Sequence, residues 1–229
     1  MNASTTFHGD KKLPMNSILG RLEKRLIVST VRLFPRWIEG YHLTLMTLLW
    51  SAGLIGFGYL AQLNRQWLWL SSLMIFLQWF TDSYDGSLGR LRDTGIPKWG
   101  YYMDHLLDHG FLCAVFIGYS FLLNDGAARL LYMLALIFTG FMVSSYLAFA
   151  ATNEFKITYL GFGPTEMRIA FILLNLALIL FGPRFLEVAL PYLIPLSVLV
   201  LGVIVFRTQT YIWSIDMQEK RKRSLPTKK

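Results

Sequence analysis

The sequence predicts an all-α membrane protein, a polytopic bundle of six transmembrane helices preceded by an amphipathic helix in the membrane interface. Apolar residues make up 54% of the chain and charged residues only 16%, and the mean hydropathy is +0.44. Six apolar stretches each approach the ~20 residues that a membrane-spanning helix needs. Only helices and closed barrels satisfy backbone hydrogen bonds in lipid, and these stretches are too long for barrel strands. This composition excludes a soluble globule, a disordered chain and, because Cys113 is the only cysteine, a disulfide-stapled module.

The chain begins with a polar segment, residues 1–12, which lacks the apolar core of a signal peptide. Residues 13–38 follow, with apolar residues at helical spacing and arginines and lysines between them. This mixture predicts a helix that lies in the interface with its cations toward lipid headgroups. A helix packed on the membrane domain is the alternative. Residues 1–38 are therefore interpreted as the polar N-terminus and the interfacial helix.

The six predicted spans form a transmembrane domain over residues 39–213, and residues 214–229 form a basic tail. Approximate limits of the spans are 42–63, 66–89, 100–123, 129–152, 166–183 and 188–213. Connections between them are too short for a separate soluble domain.

Basic residues are distributed unequally between the two ends of these spans. Only Arg65, Arg129 and Arg184 fall on one side, and the other side holds the rest of the 22 Lys and Arg residues. The positive-inside rule therefore predicts a multi-pass protein of the bacterial inner membrane or the endoplasmic reticulum, with both termini in the cytoplasm. Anionic membrane lipids account for the net charge of +8, so no nucleic-acid partner is implied.

Four aspartates fall within the second and third predicted spans, where ionisable groups are costly and usually functional. Asp82 and Asp85 lie about 60° apart on one helical face, and Asp104 and Asp108 about 40° apart on another. Because consecutive spans with a short loop are normally antiparallel neighbours, we expect these helices to pack together and the four carboxylates to share one cleft. Exposure to headgroup water is the simpler explanation for any one of them.

Carboxylates this close together need cations to offset their repulsion. Oxygen ligands favour Mg²⁺ or Mn²⁺, or Ca²⁺, over Zn²⁺, so the pattern predicts a site for two divalent cations. Gly86 and Gly89 follow on the face of Asp82 and Asp85, where a ligand can approach the backbone, and Arg90 offers a bidentate fork for phosphate oxygens.

The segment reads Asp82-x-x-Asp85-Gly86-x-x-Gly89-Arg90, then nine residues, then Gly100-x-x-x-Asp104-x-x-x-Asp108. It resembles the signature of the CDP-alcohol phosphotransferases, membrane enzymes of phospholipid synthesis: D-x-x-D-G-x-x-A-R, about eight residues, G-x-x-x-D-x-x-x-D. An interfacial helix and six spans are also that family's plan. This chain departs from the signature at Gly89, where Ala is usual, and in a loop about one residue longer.

The resemblance implies that Asp82, Asp85, Asp104 and Asp108 hold two divalent cations, Mg²⁺ or Mn²⁺, against the pyrophosphate of a CDP-linked alcohol. Gly86, Gly89 and Arg90 would cradle the cytidine nucleotide, and Asp108 would accept a proton. The family's first span often begins N-x-x-T. Only Thr44 matches here, and it takes a nucleotide-binding role. A homodimer, a lipid substrate and contacts with membrane lipids are further implications.

Two features resemble the choline and ethanolamine phosphotransferases, which transfer the phospho-aminoalcohol of CDP-choline or CDP-ethanolamine to diacylglycerol. His105 follows Asp104 directly, and Gly163-Pro164-Thr165-Glu166 opens the fifth span. His105 and Glu166 are therefore predicted as base and orienting partner. Enzymes of that branch typically have about ten spans. Six are typical of the other branch, which transfers a phosphatidyl group from CDP-diacylglycerol to glycerol phosphate, inositol or serine, and Lys156 and Arg168 are candidates for binding a phosphorylated acceptor.

A cation transporter is the alternative from another class, since transporters also place carboxylates inside helical bundles. The aspartates cluster at one end of their spans, however, and the second half of the chain contains no matching set.

Overall fold

The structure is a computed structural model, and it describes residues 11–12, 20–155 and 163–224. These residues form seven α-helices, two short 3-10 turns and two two-residue strands, so the predicted helical fold class is confirmed. In chain order the elements are β1 Lys11–Lys12, α1 Gly20–Thr30, α2 Gly40–Leu60, α3 Leu68–Arg92, α4 Pro97–Ser120, α5 Asp125–Thr152, β2 Glu154–Phe155, α6 Pro164–Phe181 and α7 Arg184–Ser224. β1 and β2 pair in parallel, Lys11 opposite Glu154.

Four helices, α2, α5, α6 and α7, are long and apolar enough to cross a membrane. α3 and α4 have 25 and 24 residues, which is also sufficient length, but they carry the four aspartates and other polar side chains. The structure therefore supports a membrane protein with four such helices. The count of six spans and the cytoplasmic position of both termini stay predictions.

Each predicted span corresponds to one helix from α2 to α7, and the differences lie at the ends of the chain. α7 continues to Ser224, so the helix extends past residue 213 into the predicted tail. In the described part of the predicted interfacial segment 13–38, α1 covers Gly20–Thr30 and a 3-10 turn covers Val31–Leu33, and residues 34–38 are not helical. Residues 1–10, 13–19, 156–162, which include Lys156, and 225–229 lie outside the described residues.

α1 packs on α3 through one face and exposes the other. Val31 joins Leu43, Tyr84 and Leu88 in a small core, and Ile27 packs against it. Exposed on α1 are Lys24, Arg25, Leu26 and Val28, a basic and apolar face suited to lipid headgroups. α1 is therefore packed on the helical bundle and exposes a basic and apolar face, and its position in the membrane interface stays a prediction.

Arg92, at the end of α3, fixes the loop between α1 and α2. Its guanidinium donates hydrogen bonds to the carbonyls of Phe34 at 3.1 Å, Pro35 at 2.8 Å and Arg36 at 3.2 Å, and also to the carbonyl of Ile38. In the sequence, the positive-inside rule alone accounts for this arginine. In the structure it satisfies carbonyl groups that lie outside any helix.

α2 is the helix around which the site-bearing helices pack. It packs closely against both α3 and α4, whereas α3 and α4 do not form a closely packed pair with each other. The backbones of α3 and α4 are therefore less closely packed than we expected, although side chains of the two helices meet, since Gln78 of α3 donates a hydrogen bond to Asp108 of α4.

The crossing of α2 and α4 depends on two glycines. A Cβ added at Gly58 would lie 2.5 Å from the Cα of Gly118, so the two backbones are in direct contact. Small residues at such crossings allow close packing of membrane helices.

Gly58→Ala is expected to destabilise the protein by about 2 kcal/mol, because the new methyl group meets backbone that cannot rotate away. Gly56→Ala is the matched control, since a Cβ at Gly56 has no neighbour within 4 Å. Thermal melting in detergent micelles measures both variants. Equal melting temperatures for the two would contradict the close crossing.

Candidate active site

Three of the four predicted aspartates meet between α3 and α4. Asp82, Asp104 and Asp108 each place one carboxylate oxygen within 4.8 Å of the others. Asp82 lies in the second half of α3 and the other two in the first half of α4, so the cluster is in the half of the bundle that holds the end of α3 and the start of α4. The predicted convergence of acidic side chains from these two helices is observed for these three residues.

Asp85 contacts α2. Its Oδ2 accepts a hydrogen bond of 2.6 Å from the hydroxyl of Thr44, and its Oδ1 accepts one from the backbone N–H of Gly86. Thr44 is buried, and α2 approaches α3 closely here, since a Cβ at Gly40 would lie 2.6 Å from the carbonyl oxygen of Asp85. Thr44, predicted to contact nucleotide, thus orients the Asp85 carboxylate.

The predicted phosphate-binding residues differ from one another in their surroundings. Gly86 and Arg90 are exposed, and the Arg90 guanidinium donates to the Ser87 hydroxyl at 3.1 Å. Gly89 is buried, and a Cβ there would lie 3.3 Å from the Cα of Gly95. Close packing with Gly95 therefore accounts for Gly89, whereas Gly86 and Arg90 remain accessible to a ligand.

His105 lies beside the carboxylate cluster. Its Nδ1 is 3.6 Å from Asp104 Oδ2, and its ring packs against Tyr101 and Tyr146 with centroid distances of 4.3 and 5.3 Å. Tyr146 also donates a hydrogen bond of 3.1 Å to the His105 carbonyl. The imidazole is therefore held in place by two aromatic rings.

Glu166 lies in the first turn of α6. Its Oε2 accepts a hydrogen bond of 2.9 Å from the backbone N–H of Gly163, directly before Pro164 at the start of the helix. This contact caps the helix, and a carboxylate is also favoured there by the helix dipole.

Two further residues contact the aspartates: Arg168, whose pairing with them was not predicted, and Gln78, which was not predicted as a site residue at all. Arg168 is buried, and its Nη2 donates to Asp82 Oδ2 at 2.8 Å and approaches Asp108 Oδ1 at 3.5 Å. Gln78 is fully buried and donates to the same Oδ1 of Asp108 at 3.0 Å. Gln78 precedes Asp82 by four residues, so its helical face was a usable signal. Arg168 was considered only as a topological cation and as a contact for a phosphorylated acceptor.

The donor set fits a hard divalent cation. Asp82, Asp104 and Asp108 supply only oxygen ligands, and these three carboxyl groups outnumber the single guanidinium of Arg168. Mg²⁺ and Mn²⁺ prefer carboxylate oxygens, and water molecules can complete their coordination. These three residues are therefore able to hold such an ion.

Cavity size does not identify this site. A depression of about 490 Å³ lies at the opposite end of the bundle, lined by residues that include Asn64, Arg65, Phe121 and Pro183. No carboxylate lines it, whereas the aspartate cluster combines acidic and basic groups that chemistry with phosphates needs.

Fold and site together define a helical membrane protein with an acidic site between two of its helices that is suited to divalent cations. The family model described as CDP-alcohol phosphatidyltransferase matches residues 41–214. The chain therefore belongs to the CDP-alcohol phosphatidyltransferase family, and it is a phosphotransferase that transfers a phospho-alcohol group in phospholipid synthesis. A search of curated proteins gave no match to the chain.

Proposed function

We propose that the protein transfers phosphocholine or phosphoethanolamine from the CDP-aminoalcohol to the hydroxyl of diacylglycerol, with release of CMP and with Mg²⁺ or Mn²⁺ as cofactor. The observation that carries the proposal is the convergence of Asp82, Asp104 and Asp108. His105 beside Asp104 supports the aminoalcohol branch of the family.

In the reaction the acceptor oxygen forms a bond to the distal phosphorus of the donor. The bond from that phosphorus to the CMP oxygen breaks, and CMP leaves with the electron pair. Two divalent cations would neutralise charge on the phosphate oxygens and orient the attack in line. Asp82, Asp104 and Asp108 would hold them together with Asp85, whose carboxylate Thr44 orients.

Gly86 and Arg90 would contact the nucleotide phosphates. Both are exposed next to Asp85, and the planar guanidinium matches phosphate oxygens. Gly89 would help to shape the nucleotide site, because it lets the backbone pack closely at the same turn.

A base must take the proton of the attacking hydroxyl. We assign this role to His105, which lies close enough to Asp104 for the carboxylate to stabilise a protonated imidazole. Asp108 is the other candidate, with Gln78 and Arg168 on its Oδ1. Glu166 would orient the start of α6 beside the site through its contact with Gly163.

The CDP-diacylglycerol branch is the second candidate, and the buried Arg168 favours it. A guanidinium within reach of the carboxylate cluster offers a binding group for a phosphorylated polar acceptor such as glycerol phosphate. A transporter is disfavoured, because the second half of the chain contains no set of acidic residues that matches these aspartates. The homodimer stays a prediction from the family.

Measuring CMP release across both donor classes tests the proposal. We expect release with diacylglycerol and CDP-choline or CDP-ethanolamine, dependent on Mg²⁺ or Mn²⁺ and abolished by EDTA. Release only with CDP-diacylglycerol and a polar acceptor would support the second candidate. No release from any pair, with protein that is folded and supplied with metal, would refute the transferase function.

His105→Ala is expected to lower kcat by about a hundredfold, the usual loss when a general base is removed. His109→Ala is the control, since this histidine lies one turn further along α4 and contacts Thr139 rather than an aspartate. Steady-state CMP release measures both. A change of less than about threefold for His105→Ala would instead assign the proton to Asp108.

A further inference from the structure

α1 contributes one carboxylate to the inside of the bundle. Oε1 of Glu23 accepts hydrogen bonds from Trp79 Nε1 at 3.0 Å and Ser83 Oγ at 2.8 Å. Its Oε2 accepts a hydrogen bond of 2.9 Å from Thr165 Oγ1. Trp79 and Ser83 belong to α3 and Thr165 to α6, so a single side chain joins three helices.

These contacts lie next to the acidic cluster that Asp82, Asp104 and Asp108 form. Ser83 directly follows Asp82, and Thr165 lies one helical turn before Arg168. Arg168 donates to Asp82 at 2.8 Å. α3 and α6 are therefore joined twice beside Asp82, once through Arg168 and once through Glu23.

Membrane attraction does not explain a carboxylate at this position. Glu23 is the only acidic residue of segment 13–38, and anionic lipid headgroups repel a carboxylate. The neighbouring Lys24 and Arg25 are exposed, whereas Glu23 is partly buried against α3 and α6. An ionised carboxylate offers acceptors only, which is what three hydrogen-bond donors from two helices require.

We propose that Glu23 is a positioning residue for the metal site. By tying α1 to α3 and α6, it holds Asp82 and Arg168 at the spacing in which the acidic cluster accepts a divalent cation. This inference rests on the proposed metal-dependent transfer. It makes α1 a part of the active unit in addition to a membrane-surface helix.

Binding of Mn²⁺ to the purified full chain in detergent micelles tests the proposal, with electron paramagnetic resonance reporting free Mn²⁺. Glu23→Ala is expected to weaken Mn²⁺ binding at least about tenfold, as loss of a group that orients metal ligands does. Thr165→Val is expected to weaken it less, because the contacts of Glu23 with α3 remain. Lys24→Ala, the exposed neighbour on the same helix, is expected to leave it unchanged.

Glu23→Gln separates positioning from charge. Its amide oxygen can accept from Trp79 and Ser83, and its NH₂ can donate to the Thr165 hydroxyl. We therefore expect this variant to bind Mn²⁺ within about threefold of the wild type. A loss equal to that of Glu23→Ala would overturn the proposal, because charge and not hydrogen-bond geometry would then carry the effect.

Unchanged Mn²⁺ affinity in Glu23→Ala would likewise overturn it. If Glu23→Ala does not fold, Thr165→Val carries the test, and unchanged affinity in that variant has the same consequence. A wild-type protein that binds no Mn²⁺ would refute the metal-dependent function itself, together with this inference. If the wild type binds Mn²⁺ and the variants bind it with the same affinity, only this inference is refuted.

Discussion

Asp82→Asn is expected to reduce CMP release by at least about a thousandfold, because it removes one of three carboxylates from the acidic cluster. The asparagine amide keeps the size and one oxygen of the side chain but loses the negative charge that binds a divalent cation. Arg168 then has one carboxylate fewer to pair with, so it competes more strongly with the metal ion for those that remain.

The matched control is Asp93→Asn, the same chemical change eleven residues further along the chain. Asp93 ends α3 in the left-handed conformation with φ of 56°, which asparagine also adopts readily. Steady-state CMP release at saturating metal, with circular dichroism to confirm folding, measures both variants. Activity in Asp82→Asn within about tenfold of the wild type would contradict a role for this carboxylate in metal binding.

Arg168→Met is expected to lower the free energy of unfolding of the metal-free protein by about 3 kcal/mol. Methionine fills much of the volume but leaves Asp82 and Asp108 without their buried counter-ion, and the unpaired carboxylates repel each other. Saturating Mn²⁺ should recover part of this loss, since an ion that binds only the folded state stabilises it.

Arg223→Met provides the comparison, because Arg223 pairs with Glu219 on the exposed end of α7. Exposed pairs contribute little to stability, so no measurable change is expected there. Thermal melting of the wild type and of both variants in detergent micelles, with and without Mn²⁺, gives the values to compare. Equal melting of Arg168→Met and wild type without metal would show that Arg168 is not the counter-ion of the acidic cluster.

The sequence predicts the fold class and most helix positions because both depend on local patterns. Long apolar stretches and helical spacing are properties of consecutive residues, and each predicted span corresponds to one observed helix. The spacing of Asp104 and Asp108 likewise places them on one face of α4 without knowledge of any other helix.

Helix pairing is harder to predict from the sequence, because it depends on contacts between distant parts of the chain. The expectation that α3 and α4 pack directly rested on their succession in sequence alone. Gly58 and Gly118 bring α2 against α4, and nothing near either glycine in the sequence specifies its partner.

The site contacts that sequence analysis did not predict also join residues that are far apart in the chain. Arg168 lies 86 residues from Asp82, and Glu23 lies 142 residues from Thr165. Each residue also had a simpler explanation in a membrane protein. Arg168 could be a cation that sets membrane topology, and Glu23 a polar residue of an interfacial helix. A single acidic residue within the basic segment 13–38 was the available indication for Glu23.

Isothermal titration of the metal-free protein with Mn²⁺ tests most directly whether the acidic side chains of α3 and α4 form one metal site. We predict saturable binding to the wild type and its loss in Asp104→Asn, which removes a carboxylate of the cluster from α4. Binding of equal affinity and stoichiometry in the wild type and in Asp104→Asn would contradict the account.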